Sequence, residues 1–379
     1  MSSDRDNMGP SRFGTGEPFT LGVEEELLLV DPVTGRLENG GDALFERLGQ
    51  PDRGQVEREV HACQVELITD VCADASDAVT VLAGLRRAIF AAGAAIVGSG
   101  THPTAEEGDA GFTDKERYRL IRELLGDALA TPVSALHVHV GMPDAETAIR
   151  AFNGLRRHLP LLEALGANSP FRHGRDTGLA SAREITLRAW PRSGAPRAMR
   201  DYADFEAFTR RLTAVAGVPD YTFHWWKLRP HPRLGTVELR ALDAQASLAH
   251  TASLVAAVHA LARHEAESEP VPGPPPEILE EASFRAARAG VDATLPDECG
   301  RMRPVAELLD ETIELIRPSA RALGCVAEID GLFDLMAHGG GAGLQRTAAG
   351  DDGDTAAVLA KLVACAAEDA GVQPGQRGS

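Results

Sequence analysis

The stretch FTLGVEEELLLV, residues Phe19–Val30, decides how this chain is read. As a strand, its odd positions are Phe19, Leu21, Val23, Glu25, Leu27 and Leu29, and its even positions include Gly22, Glu24 and Glu26. One face is almost wholly apolar and must pack on something. The other carries two carboxylates one pleat apart, beside a glycine that would let another group approach closely. Adjacent like charges on a sheet face repel, so a cation between them is the natural compensation. A lone ExE is more simply a solvated strand surface, but here the design recurs in three further segments.

In Leu136-His137-Val138-His139-Val140 both histidines oppose the apolar residues, and in Val237-Glu238-Leu239-Arg240-Ala241 the glutamate and arginine share a face. In QVELIT (64–69), Glu66 shares its face with Gln64, opposite Val65 and Leu67. Glu59 lies seven residues before Glu66, which would put the two on opposite faces of one unbroken strand. A bend or bulge is therefore expected to redirect Glu59. Four segments would thus turn Glu24, Glu26, Glu59, Glu66, His137 and Glu238 to one wet face. Such an oxygen-rich set suits Mg²⁺ or Mn²⁺ and tolerates an imidazole. With Arg240 beside it, the face suits phosphoryl transfer, because a planar guanidinium steadies charge on a moving phosphoryl group.

The rest of the 379-residue chain is that of an ordinary globular protein, 44% hydrophobic and 25% charged, with a net charge of −18. That charge argues against a nucleic-acid partner, which would want a basic patch. The five cysteines form no CxxC pair and read as reduced thiols in a cytoplasmic protein. No signal peptide and no membrane-spanning run is legible, so no membrane association is expected.

Helices are expected from a Ser76 cap to about Ala95, from Asp114, from Asp144, over Tyr202–Ala216 and over Ser247–Glu267. Strands are expected at 96–101, 226–230 and 236–242, a loop at 168–196, and a helix-rich last third with a glycine-rich turn at Gly339–Gly343. Strands in hairpins followed by helices point to an α+β fold with a largely antiparallel sheet. Trp190, Trp225 and Trp226 read as packing residues rather than a base-stacking platform.

The usual nucleotide signatures GxxxxGK[ST] and GxGxxG are absent, as are GxSxG and HExxH. Taken together, GVEEELLLVDPVTG (22–35), QVELIT with CAD (64–74), GTHP (100–103), LHVHVG (136–141), ANSPF (167–171), DTGLAS (176–181), RPHPRLGTVELRALDAQ (229–245) and LGCVAE (323–328) resemble the YbdK-type carboxylate–amine ligases. These are relatives of glutamate–cysteine ligase within the glutamine-synthetase-like group.

The resemblance implies a concave antiparallel sheet with helices on its outer face, in one catalytic domain over 17–347. A disordered lead (1–16) would precede it, and a helix with a polar tail (348–379) would follow. ATP would phosphorylate a small carboxylate, with a γ-glutamyl product as one option, and an amine would attack the acyl phosphate. Glu24, Glu26, Glu59, Glu66, His137 and Glu238 match metal positions, and Arg240 the phosphate-contacting arginine. Arg233 is a further phosphate candidate; Arg183, Arg188 and His139 are substrate candidates. A homodimer is compatible with the family.

The sequence departs from the family at Leu179, Ala182, Ala282, Phe284, His231 and Gly340, positions expected to support the substrate end. Two other readings stay open: a kinase acting on a guanidino or amine group, and a degenerate binding protein without turnover.

Overall fold

The computed structural model describes residues 8–297 and 299–372. In chain order its elements are β1 (Leu21–Val30), α1 (Gly41–Arg47), β2 (Gln55–Arg58), β3 (Gln64–Ile68), α2 (Ala75–Ala91), β4 (Ala95–Val97), α3 (Glu116–Leu125), β5 (Ala135–Gly141) and α4 (Ala145–Gly166). They continue with β6 (Phe171–Arg172), β7 (Arg175–Asp176), α5 (Ala182–Leu187), α6 (Tyr202–Ala216), β8 (Leu228–His231), β9 (Thr236–Asp243), α7 (Leu248–Glu267) and α8 (Pro276–Ala289). The last are β10 (Thr294–Pro296), β11 (Met302–Pro304), α9 (Val305–Leu323), α10 (Val326–Ala337), α11 (Gly340–Ala349) and α12 (Thr355–Asp369).

The sheet is seven-stranded and antiparallel in the order β2-β3-β1-β5-β9-β8, with β4 pairing β1 beyond β3. The expected α+β class holds. β1 is the centre because its alternation is the cleanest. Leu21, Val23, Leu27 and Leu29 are each at most 2% exposed and seal the sheet's back against α2, α4 and α7. At roughly 1.5–3 kcal/mol for each fully buried aliphatic side chain, this face fixes the strand's register. Helix α4, entered through an Asp144 cap, buries the predicted stripe from Ile149 to Leu165. Pro160 sits inside it.

Several boundaries differ from expectation. The α2 cap is Asp74, whose carboxylate accepts from the Asp77 amide, and not Ser76; an aspartate already in extended backbone reaches its N3 amide directly. The loop expected at 168–196 contains the β6–β7 hairpin and α5. The glycine-rich turn is also the start of α11: Gly339, with φ 76°, caps its N-terminus, and a Cβ on Gly341 would stand 2.5 Å from Asn168. Residues 8–16, expected as a disordered lead, are packed. Met8 is 1% exposed, and the Arg12 and Gly14 amides bond the Pro232 and Met142 carbonyls. Residues 1–7 and 373–379 lie outside the described residues. Helix α12 packs Val358 and Leu362 with Leu28, Val30 and Val97. No helix among the described residues is long and apolar enough to cross a membrane.

Candidate active site on the sheet's open face

Pairing register assembles the site. Glu24 lies opposite His137, Glu26 opposite Glu66, and His139 opposite Glu238. Residues on four separate segments therefore meet on one face, as parity led one to expect. Glu59 joins them through a bend, the first of the two routes the sequence left open. β2 and β3 form an antiparallel hairpin in which Glu57 pairs Glu66, so the next same-face step along β2 is Glu59. Chain reversal, and not a bulge in a single strand, supplies the change of parity. A bulge does occur on β9, where pairing with β5 shifts between Leu136 and Val138. It lies beside Arg240, whose Nη1 comes 3.5 Å from His137 Nδ1. The glycine at Gly22 is not sterically required: a Cβ there would meet His139 Cβ at an ordinary 3.5 Å.

The side chains form three overlapping groups: Glu24, His139 and Glu238; Glu24, Glu66 and His137; and Glu26, Glu59 and Glu66. In each, one donor atom per residue lies within 4.8 Å of the others. His137 Nδ1 is 3.0 Å from Glu24 Oε2, and His139 Nε2 is 3.3 Å from Glu24 Oε1. That His139 nitrogen is buried without hydrogen-bond geometry to any partner. An oxygen-dominated donor set with an orphaned imidazole nitrogen fits a hard divalent cation.

The electrostatics say the same. Burial, reinforced by the Glu59 charge, pushes Glu26 up to about 8, and burial with three carboxylate neighbours pushes Glu66 well up. Glu59 is raised by burial too. At Glu24 burial is overcome by His139 and His137, and at Glu238 by Arg229 and Arg240, so both are held well below the usual range. His137 falls to about 4 through burial and the Arg240 charge. His139 is raised, because Glu238 and Glu24 outweigh its burial. Carboxylates crowded until some must take protons are poised to exchange those protons for a metal ion.

Two guanidiniums grip Glu238. Arg229 forks onto it with Nε to Oε2 at 2.5 Å, and Arg240 Nη1 donates to Oε1. Arg229 was not singled out from the sequence. It lies opposite Glu238 in the β8–β9 hairpin, and the short turn in RPHPRLGTVELR was the available signal. The same register puts His231 on this face, lowered to about 3 by burial, rather than away from the metal face as its departure from the family pattern suggested.

These residues floor a cleft of about 250 Å³ whose walls include Tyr118, Trp190, Trp225, Arg117, Lys227 and Glu184. Trp190 and Trp225 meet edge to face at 5.5 Å, while Trp226 is buried and stacks on Phe208. Arg183 reaches the cleft but is anchored by Asp243 at 3.6 Å and by the Arg240 carbonyl. Arg188 and Arg233 are not among the cleft's lining residues. Arg188 bonds the Glu280 carbonyl, and Arg233 pairs with Asp220 at 3.2 Å over the Tyr221 ring. Sequence parity cannot place such loop arginines.

Comparison with known proteins agrees with this architecture. The model of glutamate–cysteine ligase family 2 matches residues 20–357. A Rubrobacter xylanophilus protein named "Putative glutamate--cysteine ligase 2-1" is 38% identical, covering 93% of this chain and 96% of its own. A Gloeobacter violaceus relative named "Putative glutamate--cysteine ligase 2" is 34% identical, covering 93% and 98%. Among solved structures, a Francisella tularensis glutamate–cysteine ligase in complex with AMP superposes with a TM-score of 0.64 at 13% identity, covering 94% of both chains. A Pasteurella multocida bifunctional glutathione synthetase gives 0.66 at 13% identity, over 92% of this chain and 52% of its own. The two structures share the fold, the sequence relatives and the family model share more, and the chain belongs to glutamate–cysteine ligase family 2.

Proposed function

We propose that this protein is an ATP-dependent, ADP-forming carboxylate–amine ligase that joins its substrates through an acyl phosphate. The observation that carries the reading is the convergence of Glu24, Glu26, Glu59, Glu66, Glu238, His137 and His139 on one face, with Arg240 at its edge. Those residues would hold Mg²⁺ or Mn²⁺, which supplies charge neutralisation and bridging of the nucleotide phosphates when bound. The chain's own part is positional and electrostatic. Glu238 fixes the Arg240 and Arg229 guanidiniums, so Arg240 meets developing phosphoryl charge without reorganising. The carboxylate substrate would lie in the cleft beside it, with Arg183 at its boundary. Trp190, Trp225 and Leu187 wall the cleft and restrict water, which would otherwise hydrolyse the intermediate.

Family membership supports glutamate as the first acid to try, since the relatives carry that substrate in their names. The test is capture of the acyl phosphate. Protein, ATP, Mg²⁺, a carboxylic acid and hydroxylamine should yield a hydroxamate, with none when ATP is omitted or a chelator is in excess. ADP release with a phospho-guanidine or phospho-amine and no hydroxamate from any acid would overturn this reading in favour of a kinase.

A further inference from the structure

The cleft wall carries a second ionic cluster, separate from the carboxylate floor. Lys227, just before β8, is 5% exposed, with its ammonium 2.6 Å from Glu184 Oε1 of α5 and 2.6 Å from Glu163 Oε1 of α4. The contact with Glu184 has hydrogen-bond geometry, whereas Glu163 Oε1 is buried and accepts no hydrogen bond. Ser283 of α8 donates to Glu163 Oε2 at 2.5 Å. A line of groups therefore runs inward from the cleft: Glu184, Lys227, Glu163, Ser283.

The charges in this line do not balance, with two carboxylates against one ammonium. Arg188 stands 3.6 Å from Glu184 but is over a third exposed, and Glu280 adds negative charge near Lys227. Of the cleft-lining carboxylates, Glu24, Glu26, Glu59, Glu66 and Glu238 belong to the sheet's floor, and Glu184 alone stands off it. Its Oε1 is held by Lys227, and its carboxylate lines the cleft. An amide-forming reaction needs this kind of group, because the amine arrives as an ammonium ion and must lose a proton before it can attack.

We propose that Glu184 is a catalytic residue that binds the ammonium of the amine substrate through its carboxylate and accepts its proton, with Lys227 and Glu163 as the positioning pair beside it. This deepens the ligase reading and rests on it. R–NH₃⁺ passes one proton to Glu184. The freed nitrogen lone pair attacks the acyl carbon and the C–N bond forms. The bond from carbon to the phosphoryl oxygen breaks, and phosphate leaves with that electron pair and takes the second amine proton. Glu184 then loses its proton to solvent through the cleft, while the Lys227 ammonium holds the carboxylate in place.

Hydroxylamine and hydrazine test the role, since both are small enough to reach an acyl phosphate. At slightly acidic pH hydrazine is mostly its cation, whereas hydroxylamine is mostly neutral and needs no base. Glu184→Gln should lower acyl-hydrazide formation on the order of 10²-fold and hydroxamate formation by no more than about threefold. If Glu184→Gln proves unstable in a thermal melt, Glu184→Asp, which withdraws the carboxylate, should show the same split. Equal loss of both products in a folded variant, or retention of both, overturns the proposal. A wild-type protein that yields neither product from any acid overturns the ligase reading instead.

Discussion

The two faces of β1 carry carboxylates in opposite circumstances. On the back face Glu25, which sequence alternation placed among apolar residues, is fully buried. Arg86, also fully buried, forks onto it at 2.9 and 3.1 Å. Thr251 donates to the same carboxylate at 2.9 Å, and Asp369 takes Arg86's remaining arm at 2.8 Å. On the open face Glu24, Glu26, Glu59, Glu66 and Glu238 share the guanidiniums of Arg229 and Arg240, both of which go to Glu238. A carboxylate whose partners are all built in is architectural. A cluster left short of positive charge suits a cation supplied from outside. The Lys227 cluster stands between the two, with one cation too few.

The comparison breaks most visibly at Arg240. Arg240→Ala should lower ATP turnover on the order of 10³-fold, measured as ADP release with the acid that gives hydroxamate. Because Glu238 keeps Arg229, the fold should survive, and a variant with parental turnover would mean the open face has been given the wrong task. At the back, Arg86→Met should cost about 3–5 kcal/mol in denaturant unfolding, since it strands Glu25 in an apolar layer. Its Mg²⁺ affinity, measured by calorimetry on the folded fraction, should stay parental.

Glu66→Gln sharpens the contrast. Removing one charge from a self-repelling set should leave the chelated protein no less stable, while Mg²⁺ affinity falls about 10-fold. A large loss of stability in chelator would make the open face architectural as well.

The smallest effect concerns the intermediate cluster. Glu163 is raised from 4.5 to about 7 in the folded protein, chiefly by burial. A carboxyl raised on folding contributes stability that is fully present below 4.5 and is lost as pH rises through about 7. Unfolding free energy should therefore decline across that window, and Glu163→Gln should flatten the decline. An unchanged slope would remove Glu163 from the titrating set.

Much of the floor was legible because strands impose a period of two. Alternation in Glu24–Leu29, His137–Val140 and Glu238–Ala241 fixes which side chains share a face, whatever the neighbours are. Glu59 was placed on the floor by expecting a bend or bulge after it, but only the β2–β3 pairing shows that the chain reverses there. Arg229 and His231 needed the β8–β9 register. Lys227, Glu184 and Glu163 come from a strand edge and two helices, and no local spacing connects them.

By itself the sequence determined the class of fold, the apolar back of the central strand and an acidic open face suited to a hard cation. These follow from short-range periodicity and charge. Strand order, the charge balance of each carboxylate and the line from the cleft to Glu163 were decided only in the tertiary structure. Whether a buried charge is satisfied depends on partners as far away in sequence as Arg86 from Glu25, or Lys227 from Glu163, and packing alone brings those together.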